Sequence, residues 1–132
     1  SDKSILYKYF RKKEEELYRI SDRIGCMSEA NVKFVLPNHP VLNFPNTIKA
    51  EDFNDWVQER STYQAENIDA RFQTPLQMND TGEAPSQGSL LIAPFGKGNF
   101  AYVSLALFRQ LPAGNPGAYK LFANLLSLPK NQ

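Results

Sequence analysis

Two apolar runs that face each other across three residues restrict the fold of this chain more than any other feature. Ser89 to Phe95 (SLLIAPF) and Asn99 to Phe108 (NFAYVSLALF) flank Gly96-Lys97-Gly98. Strand-length runs joined by a short glycine-containing loop predict a β-hairpin. The first arm is continuously apolar at Leu90, Leu91 and Ile92, as expected of an inner strand covered on both faces.

The rest of the chain supplies short elements around that hairpin. Asn31 to Leu36 alternates, with Val32, Phe34 and Leu36 on one side, and predicts a strand. Pro37-Asn38-His39-Pro40 turns the chain, and His39 is forced out of the helical region by the proline after it. Phe72 to Met78 reads as a short strand that Pro75 confines to an edge or a bulge. Residues 61–71 lack a period and read as an irregular connection. Residues 79–88 (NDTGEAPSQG) and 110–117 (QLPAGNPG) are rich in turn formers and read as surface loops.

Three helices are expected. Over residues 4–20, Ile5, Leu6, Tyr9, Phe10, Leu17 and Ile20 make a stripe interrupted at Lys13 and Glu14. A second helix starts at Asn46 or Thr47, with Glu51 and Asp52 at its positive end and Phe53, Trp56 and Val57 on one face. The last has the best pattern: Asn115 as N-cap, Pro116 at the first position, then Ala118, Leu121, Phe122, Leu125 and Leu126, with Pro129 as the stop. Strands and helices in a chain of 132 residues predict one α/β domain.

Charge and cysteine usage exclude several classes. Fifteen basic residues balance fourteen acidic ones, and the densest run, Arg11 to Glu16, is mixed in sign, so no basic footprint for nucleic acid is present. A single cysteine, Cys26, allows neither an internal disulfide nor a thiolate metal cluster. No apolar run approaches the roughly 20 residues needed to span a bilayer, and no signal peptide is recognisable. The chain opens inside a helical pattern, which predicts a piece of a larger protein.

Candidate chemistry is sparse. Cys26 stands in a loop-like stretch without an adjacent base and reads as a partly buried small side chain rather than a nucleophile. His39 is the only histidine; it reads as a turn residue whose ring bonds the local backbone rather than a metal ligand. Gly96-Lys97-Gly98 lacks the longer loop and the Ser or Thr of a phosphate loop, and a strand follows it, so it reads as a hairpin turn with glycines at positive φ. Asp52, Glu59, Asp80 and Glu83 offer carboxylates that spacing alone does not pair. The 79–88 loop, with Asp80 and Glu83, is a candidate binding loop set against a plain turn. Arg109, Gln110 and Asn115 are candidates for a polar ligand or a partner carboxylate, set against a structural bridge from Arg109 to the Asp80 loop. Trp56 can stack on a sugar but shares a face with Phe53 and reads as core.

The stretches NHPVLNFPNTIKAEDFNDWVQERSTY and TPLQMNDTGEAPSQGSLLIAPFGKGNFAYVSLALFRQLPAGNPGAYKLFANLLSL resemble the C-terminal region of large bacterial PIG-L (LmbE-like) deacetylases, especially of Bacteroidetes type. The most specific pieces are His39-Pro40, Asp52-Phe53 with Trp56 and Glu59-Arg60, Asn79-Asp80 with Gly82-Glu83, Gly96-Lys97-Gly98, and Phe108-Arg109 through Pro116-Gly117 to Asn124. The similarity covers residues 31–130, and the chain departs from it before residue 21.

The resemblance implies the terminal portion of a flavodoxin-like, class I glutamine amidotransferase-like mixed sheet, here with a C-terminal hairpin and flanking helices. It implies no metal or cofactor in this chain, because the zinc site of that family belongs to a separate domain. The amidotransferase cysteine elbow and its His–Glu partners have no counterpart either. The implied role is a non-catalytic accessory domain for docking, carbohydrate contact or oligomerisation, in a periplasmic or secreted protein. An incomplete sheet leaves an edge, so a homodimer or association with a further N-terminal domain is expected. The rival readings are a small hydrolase using Cys26 or the Asp80/Glu83 loop, and a stand-alone sugar- or protein-binding module. His39, Asp80, Glu83, Arg109, Gln110 and Asn115 are the candidate contact residues.

Overall fold

A computed structural model describes Lys12 and residues 32–57, 61–79 and 84–130 of the chain. It is a mixed α/β arrangement of two small antiparallel sheets and a few helices. Strand β1 (Val32–Phe34) pairs with β2 (Leu76–Met78), placing Val32 opposite Met78 and Phe34 opposite Leu76. Strands β3 (Leu90–Phe95) and β4 (Gly98–Val103) form the hairpin, in register from Leu90 opposite Val103 to Phe95 opposite Gly98. Helix α1 (Pro40–Asn43), a 3-10 turn (Ala50–Phe53), α2 (Leu107–Gln110) and α3 (Pro116–Leu126) complete the order.

The hairpin closes as its sequence requires. Gly96 occupies the left-handed region at φ 55°, at the first of the two turn positions. This is the type II′ pattern, whose twist matches the flanking strands. Gly98 does not share the positive φ expected of both glycines; it is already the first residue of β4. Leu90 to Ala93 are all buried, as continuous apolarity predicted. Gln73 covers the second edge of β3, exchanging backbone hydrogen bonds with Ile92 at 2.7 and 3.0 Å. Pro94 sits where β3 needs no donor toward β4, because alternate residues in an antiparallel strand face opposite edges.

Four expected elements are shorter than their sequence pattern; the strand expected over Asn31 to Leu36 is Val32–Phe34, with Val35 and Leu36 already bent out of it. The second arm of the hairpin ends at Val103, not Phe108, and Leu107–Gln110 is helical. The end of β4 is marked by Ser104, whose carbonyl leaves the ladder to accept from Thr62 N–H at 3.1 Å. The second helix is a single 3-10 turn. Asp52 Oδ2 accepts from Lys49 N–H at 2.9 Å and starts it, and the Asn54 N–H to Glu51 carbonyl bond closes it. Asn54 turns extended at ψ 160° and Asp55 follows at φ 57°, so the helix does not continue and Val57 is exposed rather than on the apolar face with Phe53 and Trp56. The Phe72–Met78 strand is reduced to Leu76–Met78 because Pro75 interrupts it. Conversely, the predicted turn after Pro37 holds a short helix, α1. The helix expected over residues 4–20 lies outside the described residues except for Lys12, which is helical.

The core gathers Val41 and Leu42 of α1, Phe53 and Trp56, Leu76 and Met78 of β2, Leu90 and Ile92 of β3, Leu105, and Ala118 and Leu121 of α3. Each fully buried leucine contributes roughly 2 kcal/mol. Phe53 sits between Phe34 and Trp56, at centroid distances of 6.4 and 5.3 Å. Helix α3 carries the expected caps: Asn115 Oδ1 accepts from Ala118 N–H at 3.1 Å, and Pro116 follows. Its face toward the core bears Gly117, where an added Cβ would overlap the Asp52 carbonyl. In an exposed helix, Gly→Ala stabilises by about 1 kcal/mol. Here the sign reverses: Gly117→Ala is expected to lower stability by about 3 kcal/mol through overpacking against backbone. Urea unfolding followed by circular dichroism measures it, and a stabilised variant contradicts this packing.

Candidate functional site

The structure turns most of the polar side chains it buries toward the backbone. Helix α3 carries Asn124, which is fully buried. Its Oδ1 accepts from Asn46 N–H at 2.9 Å and Asn46 Nδ2 at 3.2 Å. Its Nδ2 donates to the carbonyls of Val41 at 2.9 Å and Asn46 at 2.7 Å. An amide side chain offers two donors and two acceptor positions, so Asn124 is saturated. Asparagine is a poor helix former, and an asparagine on the apolar face of a helix was the available signal for this role.

Gln110 is equally buried and brackets the backbone of one residue, Val57. Its Oε1 accepts from Val57 N–H at 2.7 Å and its Nε2 donates to Val57 O at 2.9 Å. Asn115 caps α3 with Oδ1 and reaches Asn54 O with Nδ2 at 3.3 Å. Its own N–H bonds Gln110 O at 3.1 Å, so these two candidates are brought together inside the fold. Asp52 joins the same region: Oδ1 accepts from Lys120 Nζ at 2.7 Å, and its carbonyl accepts from Trp56 Nε1 at 2.8 Å. Trp56 is 6% exposed and packed on Phe53, which makes it core rather than a sugar platform.

His39 stands apart from that group. It is extended at φ −65° and ψ 137°, and Nδ1 accepts from Val41 N–H at 3.1 Å, capping α1. That bond makes Nε2 the protonated nitrogen, which donates to Gln73 Oε1 at 2.9 Å. The pair lines a shallow depression of about 310 Å³ with Val35, Leu36, Pro37 and Asn38. Arg109 is half-buried and lies over the Phe108 ring, with Cζ 5.3 Å from its centroid. Asp80, Glu83, Glu59 and Cys26 lie outside the described residues.

Among the described residues no group of three or more His, Cys, Asp or Glu side chains converges to hold a metal ion, and no helix is long and apolar enough to cross a membrane. Comparison of the chain with protein-family models, with curated proteins and with solved structures returned no match.

One perturbed acid lies on the surface connection. The Arg71 guanidinium donates to both Asp69 oxygens, at 2.9 and 3.1 Å. Together with the Arg71 N–H bond at 2.9 Å, it lowers the Asp69 carboxyl from 3.8 to about 2. A depressed carboxyl supports the fold above its unfolded value and loses that support as pH falls through its folded value. Carbon-detected NMR titration should therefore follow Asp69 to about 2, and Arg71→Gln should return it toward the ordinary aspartate range; equal titration in both chains removes the pair. For the buried group, Asn124→Ala is expected to cost about 3 kcal/mol, because Val41 O and both backbone groups of Asn46 lose their partner. Asn124→Asp should be no better despite its shape, since it turns an oxygen toward two carbonyls. Urea midpoints of the variants decide this, and full rescue by aspartate contradicts it.

Proposed function

We propose that this chain is a non-catalytic accessory module of a PIG-L-type carbohydrate deacetylase, used for docking or ligand contact and built on the terminal portion of a flavodoxin-like, amidotransferase-like fold. The family and the carbohydrate rest on the resemblance of residues 31–130. The observation that carries the non-catalytic role is the use of Gln110, Asn115 and Asn124. These lie in the stretch most similar to that family, are buried, and direct their amides to backbone groups. A reacting group needs an unspent lone pair or proton aimed at substrate space. A side chain that closes a cap or brackets a residue's backbone has neither, and instead fixes the loops around it. The surface around residues 84–88 and 111–114, exposed over most of its length, is then what such a module presents.

The test combines activity and binding on the whole chain. Incubated with N-acetylglucosamine, chitotetraose or glutamine, the chain should release neither acetate nor ammonia. Titration with chitotetraose should shift amide signals of residues 84–88 and 111–114 in proton–nitrogen NMR spectra. Release of acetate or ammonia would make the chain an enzyme and overturn the proposal. Without any shift, the ligand-contact version fails, and retention of the chain by a PIG-L-type catalytic domain must carry the docking version.

A further inference from the structure

We infer that the outer edge of β4 is a self-pairing surface, on which a second copy of this chain docks strand to strand through a two-fold axis at Ala101. The alternation of the hairpin defines which groups are free. Ile92 spends its N–H and carbonyl on Gln73, so it faces away from β4, and the Ile92–Ala101 pair is not hydrogen-bonded. The peptide groups of Phe100 and Tyr102 therefore face β3, while those of Asn99, Ala101 and Val103 face outward. No described residue bonds these three outward groups: the Asn99 contact with Pro129 O, at 2.7 Å, is made by the side chain. The 61–62 segment lies on the other side, because Thr62 N–H meets the carbonyl of Ser104, whose own N–H faces Ser89.

Among the described residues no strand pairs with this edge, and its own sequence carries none of the usual protections. Gly98 to Val103 contains no charge and no proline, and Phe100 and Ala101 are exposed, Phe100 by 51%. Edge strands left this way accept another strand. The geometry accommodates the same chain as partner. An antiparallel pairing centred on Ala101 sets Asn99 against Val103 of the second copy, Ala101 against Ala101, and Val103 against Asn99. Every outward group then meets its complement, and each of these pairs exchanges two hydrogen bonds. Between them, Phe100 falls opposite Tyr102 in the closer, non-hydrogen-bonded position, where aromatic cross-strand pairs stabilise. Alanine at the axis is small enough to meet itself, and the absence of charge removes like-charge repulsion across the axis. The operation closes on two copies and leaves no new edge in the β4 ladder.

A strand edge alone buries less than the roughly 1,200 Å² of a standard interface, so the dimer is weak, with a dissociation constant on the order of 10 μM or above. Sedimentation velocity on the 132-residue chain should show a monomer–dimer equilibrium in this range, and hydrogen exchange at Asn99, Ala101 and Val103 should slow as concentration rises. Ala101→Lys places two ammonium groups at the axis and should weaken association at least about tenfold with an unchanged melting temperature. Ala101→Pro removes an outward donor that β3 does not use and should act in the same direction. If the proline disturbs the hairpin, the lysine variant decides. A wild-type chain that stays monomeric to about 1 mM overturns the inference. So does association that neither variant weakens, or a dimer in which those three amides exchange as in the monomer.

Discussion

The buried amide of Asn124 holds together parts of this chain that apolar packing alone would leave imprecise. Helix α1 is one turn long and the 3-10 turn is no longer, so neither is stable by itself; a helix this short has nucleated at a cost that few hydrogen bonds recover. Both lie against α3, the one helix among the described residues with a full amphipathic face. Asn124 ties the end of α1 and the loop after it to α3 through four hydrogen bonds. Gly117, seven residues earlier on the helix, brings the Asp52 backbone into direct contact. Hydrophobic burial draws these segments together without direction. The amide and the glycine add the direction.

The same device recurs at Gln110 and His39. Gln110 gives Val57 the two bonds that a neighbouring strand would have supplied, and His39 gives Val41 the acceptor that a short helix lacks at its start. A chain with few long elements has many backbone groups outside ladders and helices, and buried ones must still be paired. Side-chain amides and one imidazole carry that pairing here. This explains why the polar residues that stand out in the sequence are concentrated at loop ends and around α3, where backbone pairing runs out.

What the sequence made legible follows the range of the physics. The hairpin and α3 are written in local signals: a glycine turn between apolar runs, and an N-cap followed by proline and a periodic face. Both were readable, as was Trp56 in the core. The second helix is shorter than its pattern because Glu51, Asp52, Phe53 and Trp56 have helical spacing, while the extended Asn54 and left-handed Asp55 that end the turn have no unambiguous local signature. The reach of the second hairpin arm was misread because Leu105 and Leu107 continue the apolar run after the ladder has turned toward Ser61. At the candidate site, Gln110 and Asn115 read as contact residues, yet Gln110 spends its amide on Val57 and Asn115 its Nδ2 on Asn54, each more than fifty positions away; only the Asn115 cap on Ala118 N–H is local and legible. Spacing carries no information about such partners. Asn124 and Gln73 were passed over for the same reason.

Interior and edge therefore differ in kind. Inside, the amides of Gln110, Asn115 and Asn124 are spent on backbone groups, which fixes the loops around them. At β4 the opposite holds: the backbone groups of Asn99, Ala101 and Val103 face away from β3 with no described partner, and the strand carries no charge to discourage one. Unspent hydrogen-bonding capacity is what recognition requires, and the unspent capacity that the hairpin offers is main-chain. A surface of that kind reads shape and register rather than side-chain chemistry, because its donors and acceptors repeat at the strand period. It is suited to adding a strand, and the outward groups on either side of Ala101 allow that strand to come from a second copy of this chain.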